Sequence, residues 1–168
     1  FRGDTAEFLF YSRKLNATER SQVDSYLAIR YGLTLDQTSG GQDYLASDGL
    51  TQIWDKDVSG ASIYSNDIAG IGKDLESATN QTISKYSNDD GIVVVSSPLD
   101  LDNLEFFTWG NDDGALAGLG SSELPAGIPA NASTRLSREW LAQNVGGDEV
   151  GTVSVTFDLN NQCTLQAD

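Results

Sequence analysis

The sequence predicts a mainly β protein, an antiparallel β-sandwich with one packed amphipathic α-helix near the N-terminus. Three observations predict this class. Only residues 17–31 combine helical periodicity with capping residues at both ends. From residue 36 onward, short apolar or alternating runs are separated by Gly, Asn and Asp turn signals. The length of 168 residues suits one domain with a hydrophobic core of its own.

Residues on both sides of the helical stretch predict where the helix begins and ends. Asn16 and Glu19 have the spacing of a capping box, and Gly32 suits a left-handed C-terminal cap. The expected buried stripe recurs at three- and four-residue spacing and consists of Val23, Tyr26, Leu27, Arg30 and Tyr31. The residues expected to face water are Glu19, Arg20, Gln22, Asp24 and Ser25.

The segment before the helix alternates like a strand. Ala6, Phe8 and Phe10 share one side, while Glu7, Leu9 and Tyr11 share the other. Because aromatic residues occur on both sides, this pattern predicts a strand that is covered on both faces.

The rest of the chain predicts short strands and turns. Residues 51–54 form a short strand candidate, and residues 82–86 and 92–97 predict a hairpin closed at Asp90-Gly91. The small residues around Gly70 and Gly72 indicate close approach of another segment. Residues 104–109 predict an aromatic strand and residues 115–132 an irregular connection. Residues 137–144 suit a helix or a strand equally, and residues 151–159 predict a half-buried strand.

Several of these stretches resemble parts of bacterial surface proteins. The run AEFLFYSRKL, followed by VDSYLAIRYGLTL, resembles the C-terminal strand and helix of a laminin-G/concanavalin-like module. The β-rich region that follows this helix in large bacterial (RTX-type) adhesins is similar to YSNDIAGIGKD (64–74), WGNDDG (109–114) and TRLSREWLAQNVGGDEVGTVSVTFDL (134–159). The resemblance favours the strand for residues 137–144.

The resemblance implies a non-catalytic, extracellular module of a bacterial surface adhesin. Residues 1–168 would form a single β-sandwich-like domain, a fragment of a longer multi-domain protein. It would scaffold, or form part of, the ligand-binding region for cell adhesion. The implied partners are neighbouring domains of the same adhesin and a host or microbial surface glycan or protein.

Composition excludes several other classes of function. Twenty-five acidic and ten basic residues give a net charge of −15, which repels nucleic acid and anionic membrane surfaces. No apolar run approaches the ~20 residues of a membrane span, so we expect no membrane insertion. With no His and one Cys, Cys163, the chain has no zinc site, no Ser-His-Asp triad and no internal disulfide. We therefore expect it not to be an enzyme.

Acidic turns make structural calcium the expected cofactor, because calcium takes six to eight oxygen ligands. The candidate ligands are Asp112, Asp113, Asp89, Asp90, Asp100 and Asp102. Two alternatives stay open: Asx hydrogen bonding within each turn, and a general contribution of acidic residues to solubility. Trp54, in a turn beside Asp55 and Asp57, is the expected exposed aromatic ligand contact. A calcium-dependent carbohydrate-binding (lectin-like) module, appended to a secreted enzyme, is therefore the alternative function.

Overall fold

The computed structural model describes residues 3–38, 41–97, 101–116, 118–119, 135–146 and 150–158. This described chain is mainly β with one helix near the N-terminus, and every strand pairing in it is antiparallel, so the predicted fold class is confirmed. The elements are α1 (Ala17–Tyr31), β1 (Tyr44–Leu45), β2 (Gln52–Trp54), β3 (Asn66–Asp74), β4 (Thr79–Gln81), β5 (Ile83–Lys85), β6 (Val93–Ser96), β7 (Glu105–Asn111), β8 (Gly118–Leu119), β9 (Arg135–Leu136), β10 (Trp140–Val145) and β11 (Ser154–Phe157).

The helix begins and ends as its capping residues predict. The Asn16 side chain accepts a hydrogen bond of 2.9 Å from the N–H of Glu19, whose carboxylate accepts one of 2.8 Å from the N–H of Asn16. At the other end Gly32 has a φ of 59°, and the N–H of Leu33 donates to the carbonyl of Ala28 at 2.9 Å. The predicted capping box and glycine cap are both confirmed.

The buried face of the helix differs from the predicted stripe. Its buried residues are Ser25, Ala28 and Ile29, whereas Leu27 is only partly buried. Ser25 does not face water as expected, because its hydroxyl donates to the carbonyl of Ser21 and accepts from the N–H of Leu45. These hydrogen bonds offset the cost of burying a small polar side chain, so Ser25 can share the buried face with Ala28 and Ile29.

A four-stranded sheet, in the order β10-β7-β3-β4, lies at the centre of the fold. Alternate residues of its strands face opposite sides, and both sides are covered. Ile68 and Phe106 pack with Ile29 of the helix and with residues of β1 and β2 in one hydrophobic cluster. Ile71 and Trp109 belong to a second cluster on the other side.

The second cluster lies between the central sheet and a three-stranded sheet with the order β11-β6-β5. Val93 and Val95 of β6 are residues that the three-stranded sheet contributes to this cluster. β5 and β6 form the predicted hairpin, with Ile83 opposite Ser96. The protein thus has three layers: the helix with the β1-β2 pair, the central sheet, and the three-stranded sheet.

Two glycines of β3 allow its close approach to β7, as their spacing predicts. A Cβ at Gly70 would lie 2.6 Å from the Cγ2 of Thr108, and a Cβ at Gly72 would overlap the ring of Phe106. Any side chain at these positions would push the two central strands apart.

Three further expectations have different outcomes. Residues 140–145 form the strand β10, so the strand alternative for residues 137–144 is confirmed. β11 lies within the strand predicted for residues 151–159, but all four of its residues are exposed, so the predicted burial of one face is wrong. It is held by backbone pairing with β6, and the ring of Phe157 contacts the ring of Trp140 edge-on, with centroids 5.4 Å apart. Most of the connection expected at residues 115–132 lies outside the described residues.

Candidate functional site

The segment before the helix, residues 3–15, is called the N-terminal arm. It carries no strand pairing within the described chain, so the predicted two-sided strand at residues 6–11 is wrong. The arm is held to the helix through Glu7. The hydroxyls of Tyr26 and Tyr31 donate to the Glu7 carboxylate at 2.9 and 2.8 Å, and Arg30 lies 3.4 Å away. Burial, together with the hydrogen bond to Glu7, raises the pKa of Tyr26.

The two sides of the arm have different surroundings. Glu7, Leu9 and Tyr11 line a cavity toward the helix. Phe8 and Phe10 point away from it, are 73% and 89% exposed, and stack on one another with ring centroids 6.0 Å apart. A pair of stacked, exposed Phe rings on backbone without strand pairing is typical of a surface that contacts another molecule.

The cavity between the arm, the helix and the central sheet has a volume of about 560 Å³. Its floor is formed by buried side chains, of which Ile29, Ile53 and Phe106 are the largest. Leu15 of the arm and Val23 of the helix supply further apolar wall. A cavity of this size is within the range that accommodates small organic ligands.

Charged groups stand around the cavity. Asp74 is buried, and its carboxylate accepts from the hydroxyl and the N–H of Ser47 at 2.6 and 2.9 Å, which connects β3 to the turn after β1. Glu19 is held by two hydrogen bonds from Arg13, at 2.6 and 2.7 Å. These bonds lower the pKa of Glu19 to about 2, with help from the N–H of Asn16. The carboxylate of Glu76 has no hydrogen-bond partner among the described residues.

The first two calcium candidates, Asp112 and Asp113, follow β7 but serve different purposes. Asp112 accepts from the N–H groups of Gly114 and Glu139 at 2.9 and 3.0 Å. Burial opposes its ionisation, but these hydrogen bonds outweigh that effect and lower its pKa. Asp113 is mostly exposed and lies 3.7 Å from Arg138. Asp112 thus closes a turn, which is the Asx alternative stated above.

The side chain of Arg138 is buried between the turn after β7 and the turn between β5 and β6. The guanidinium of Arg138 donates to the carbonyl of Gly114 at 2.7 Å and to that of Asp90 at 3.2 Å. It also lies 3.6 Å from the carboxylate of Asp67. Arg138 therefore connects two turns to the start of β3 and supplies positive charge beside two of the predicted calcium ligands, Asp90 and Asp113.

Within the described residues, the other predicted calcium ligands are not gathered at one point. Asp89 and Asp90 have exposed side chains in the β5-β6 turn. Asp102 is exposed, and its N–H donates to Glu105 at 2.7 Å. Asp100 lies outside the described residues.

Within the described chain, the grouping of three carboxylates whose oxygens lie within 4.8 Å of one another consists of Asp43, Asp55 and Asp57. Asp43 accepts from the N–H of Lys56 at 3.1 Å, and Asp55 from the N–H of Asp57 at 2.8 Å. The ammonium of Lys56 lies 2.7 Å from Asp57. A divalent cation here would meet hard oxygen ligands and would compete with Lys56.

Sequence spacing alone did not indicate this triad. Asp55 and Asp57 are two positions apart, but Asp43 comes twelve positions before Asp55 (55 − 43 = 12). The antiparallel pairing of Tyr44 with Trp54 brings them together. Predicting this triad would have required the register of β1 against β2, and hydrophobic periodicity does not reveal the register of such short strands.

Trp54 is not an exposed ligand contact, so that prediction is wrong. It is 0% exposed and belongs to the cluster under the helix. Its indole N–H has no hydrogen-bond partner in the described part of the chain. The neighbouring Asp55 is fixed by Gln143, whose amide bonds both its N–H and its carbonyl, so Trp54 is held in the core beside a polar turn.

Comparison with known proteins gives one result for this chain. A family model described as a domain of unknown function (DUF8202) matches residues 19–167. No curated protein and no solved structure matches the chain. Within the described residues, no helix combines the length and the apolar character needed to cross a membrane.

Proposed function

We propose that this chain, which belongs to the DUF8202 family, is a non-catalytic extracellular module of a large bacterial adhesin. In this proposal it scaffolds, or forms part of, the ligand-binding region at the cell surface. Its partners are neighbouring domains of the same RTX-type adhesin and a glycan or protein on a host or microbial surface. The exposed aromatic side of the N-terminal arm is the observation that carries the proposal.

The arm supports a role in contact between domains for two reasons. Phe8 and Phe10 expose apolar surface to water without contacting the core, although burying such surface is favourable by about 25 cal/mol per Å². The family match begins at residue 19, so the arm lies before the matched region while Glu7 holds it to the helix. This combination suits a connection whose outer side packs on a neighbouring β domain.

Structural calcium is part of the same proposal. The triad Asp43, Asp55 and Asp57 supports it better than the turn at Asp112, because three carboxylate oxygens already lie close together. An ion there would hold the turn after β2 against the segment before β1. Its role would be to stiffen the module and not to react.

A test compares amide hydrogen exchange of residues 5–11 in this chain and in the complete polypeptide that its gene encodes. Protection in the longer polypeptide alone, lost in the variant Phe8→Ser/Phe10→Ser, would support the proposal. Leu50→Ser is the matched control, because Leu50 is 83% exposed and is not part of the arm. Equal exchange in both polypeptides would contradict the proposed contact.

The acidic triad favours a second candidate, a calcium-dependent carbohydrate-binding module that is appended to a secreted enzyme. Asp57 is exposed while Asp43 and Asp55 are partly buried, so a bound ion would contact sugar hydroxyls on the side of Asp57 as well as protein. A glycan array, probed with calcium and then with a chelator, separates the two candidates. Calcium-dependent glycan binding that persists in the Phe8→Ser/Phe10→Ser variant would favour the lectin-like module.

A further inference from the structure

The cavity beside the helix is open, is lined by apolar side chains and has a negatively charged rim. We propose that it binds a small organic cation, a ligand with an apolar body and an ammonium group. This site is on the inner side of the arm, formed by Leu9 and Tyr11, and is independent of the contact proposed for Phe8 and Phe10 on the outer side.

The lining selects an apolar body. The buried side chains of Ile29, Ile53 and Phe106 form a floor that a hydrocarbon or aromatic ring can cover without displacing any hydrogen bond of the protein. With a volume of about 560 Å³, the cavity has room for such a ligand. Removing this surface from water supplies the affinity.

The rim selects a positive charge. Four carboxylates and one guanidinium line the cavity, namely Glu7, Glu19, Asp74, Glu76 and Arg13, so the formal charge is 1 − 4 = −3. The carboxylates other than Glu76 are engaged in hydrogen bonds within the protein. Glu76 is therefore the group that is available to pair with a ligand cation, while an anion would be repelled.

Two tyrosine rings add to this preference. Tyr11 and Tyr26 line the cavity, and the guanidinium of Arg30 already lies 5.7 Å from the ring centre of Tyr26. Aromatic faces attract ammonium groups in the same way, and binding sites for quaternary ammonium ligands commonly use them. The chemical class that fits the cavity is thus an alkyl- or arylammonium ion.

The experiment titrates the protein with hexyltrimethylammonium and follows backbone amide chemical shifts. Shifts are expected in α1, in the arm and in the turn after β3. Hexanoate, which has a similar chain and the opposite charge, and tetramethylammonium, which lacks the apolar body, should bind at least tenfold more weakly, about 1.4 kcal/mol. Equal binding of hexanoate, or shifts that lie away from the cavity, would overturn the proposal.

Two pairs of variants distinguish a loss of ligand binding from a loss of folding. Val23→Phe fills the cavity from the helix and should abolish binding, whereas Val23→Ala leaves it open and should preserve binding. Glu76→Lys should weaken binding by about threefold to tenfold. Asp24→Lys makes the same charge change on the exposed side of the helix and should have a smaller effect. Unchanged affinity in Val23→Phe, with the native spectrum retained, would overturn the proposal.

Discussion

The guanidinium of Arg138 lies 3.6 Å from the carboxylate of Asp67, and the two side chains are 5% and 13% exposed. Asp67 also accepts hydrogen bonds from the amides of Asn88 and Asn111, at 3.2 and 2.9 Å. The backbone of Asp67 has a φ of 50°, a conformation that non-glycine residues rarely adopt. The pair therefore fixes an unusual backbone position at the start of β3.

Replacing Arg138 by Met should destabilise the fold by about 3–5 kcal/mol, because it leaves a buried carboxylate and two carbonyls without their cation. Denaturant melts measure the loss, and a double-mutant cycle with Asp67→Asn isolates the pair. Asp113→Asn is the control and should cost less than about 1 kcal/mol, since Asp113 is exposed. A loss below about 1 kcal/mol in Arg138→Met would show that the network is not important for stability.

Two variants of the helix distinguish the observed buried face from the predicted stripe. Ile29→Ala should cost about 2–5 kcal/mol, because Ile29 is 2% exposed and packs on the central sheet. The sequence alone predicts the same cost for Leu27→Ala, but Leu27 is only partly buried and its loss should be smaller. The measurement is the free energy of unfolding of both variants in urea. A larger loss in Leu27→Ala would mean that the helix is turned the other way.

The helix start should lose stability in acid. The pKa of Glu19 falls from its ordinary value of 4.5 to about 2 because Arg13 and the N–H of Asn16 bind its ionised form. The stabilisation is therefore complete above about pH 4.5 and disappears as the pH falls toward 2. The difference in unfolding free energy between wild type and Glu19→Gln should shrink over this interval. When Arg13 is also replaced by Gln, the effect of Glu19→Gln should depend less on pH. An unchanged pH dependence would contradict a stabilising Arg13–Glu19 ion pair.

Calcium should raise the melting temperature by several degrees, since an ion at 100 times its Kd adds about 2.7 kcal/mol to the native state. The experiment is a thermal melt after chelation, with calcium, magnesium or sodium restored separately at matched ionic strength. Asp55→Asn/Asp57→Asn should abolish the response, while Asp112→Asn/Asp113→Asn should retain it. A calcium response no larger than that of sodium would reject a bound ion. If only Asp112→Asn/Asp113→Asn lost the response to calcium, the calcium site would instead lie in the turn after β7.

Local features of the chain could be predicted from the sequence. The box of Asn16 with Glu19, and the left-handed Gly32, depend on residues within one turn of each other. The hairpin around Asp90-Gly91 likewise depends on a local turn signal. The close packing at Gly70 and Gly72 was indicated by missing side-chain bulk, although its partners, Thr108 and Phe106, were not.

Features that depend on distant pairing could not be predicted. Ser25 is buried because Leu45, twenty positions later, donates to its hydroxyl, and a polar residue would otherwise face water. The alternation of residues 6–11 correctly gives the arm two different sides, but no rule of periodicity states whether a pairing strand is available. The acidic turns were recognised as polar clusters, while Arg138, which joins them, is more than twenty positions from each.

The double coverage of the central sheet has a consequence for the order of folding. Ala69 of β3 pairs with Trp109 of β7, which is 109 − 69 = 40 positions later, whereas the helix is closed by local bonds. Closing such long loops is slow, and local contacts form first. During synthesis the helix therefore precedes Phe106, the residue that completes the floor beneath Ile29. Residues of β1 and β2 cover part of the apolar side of α1 earlier, but the part of Ile29 that Phe106 covers stays open to water until β7 emerges.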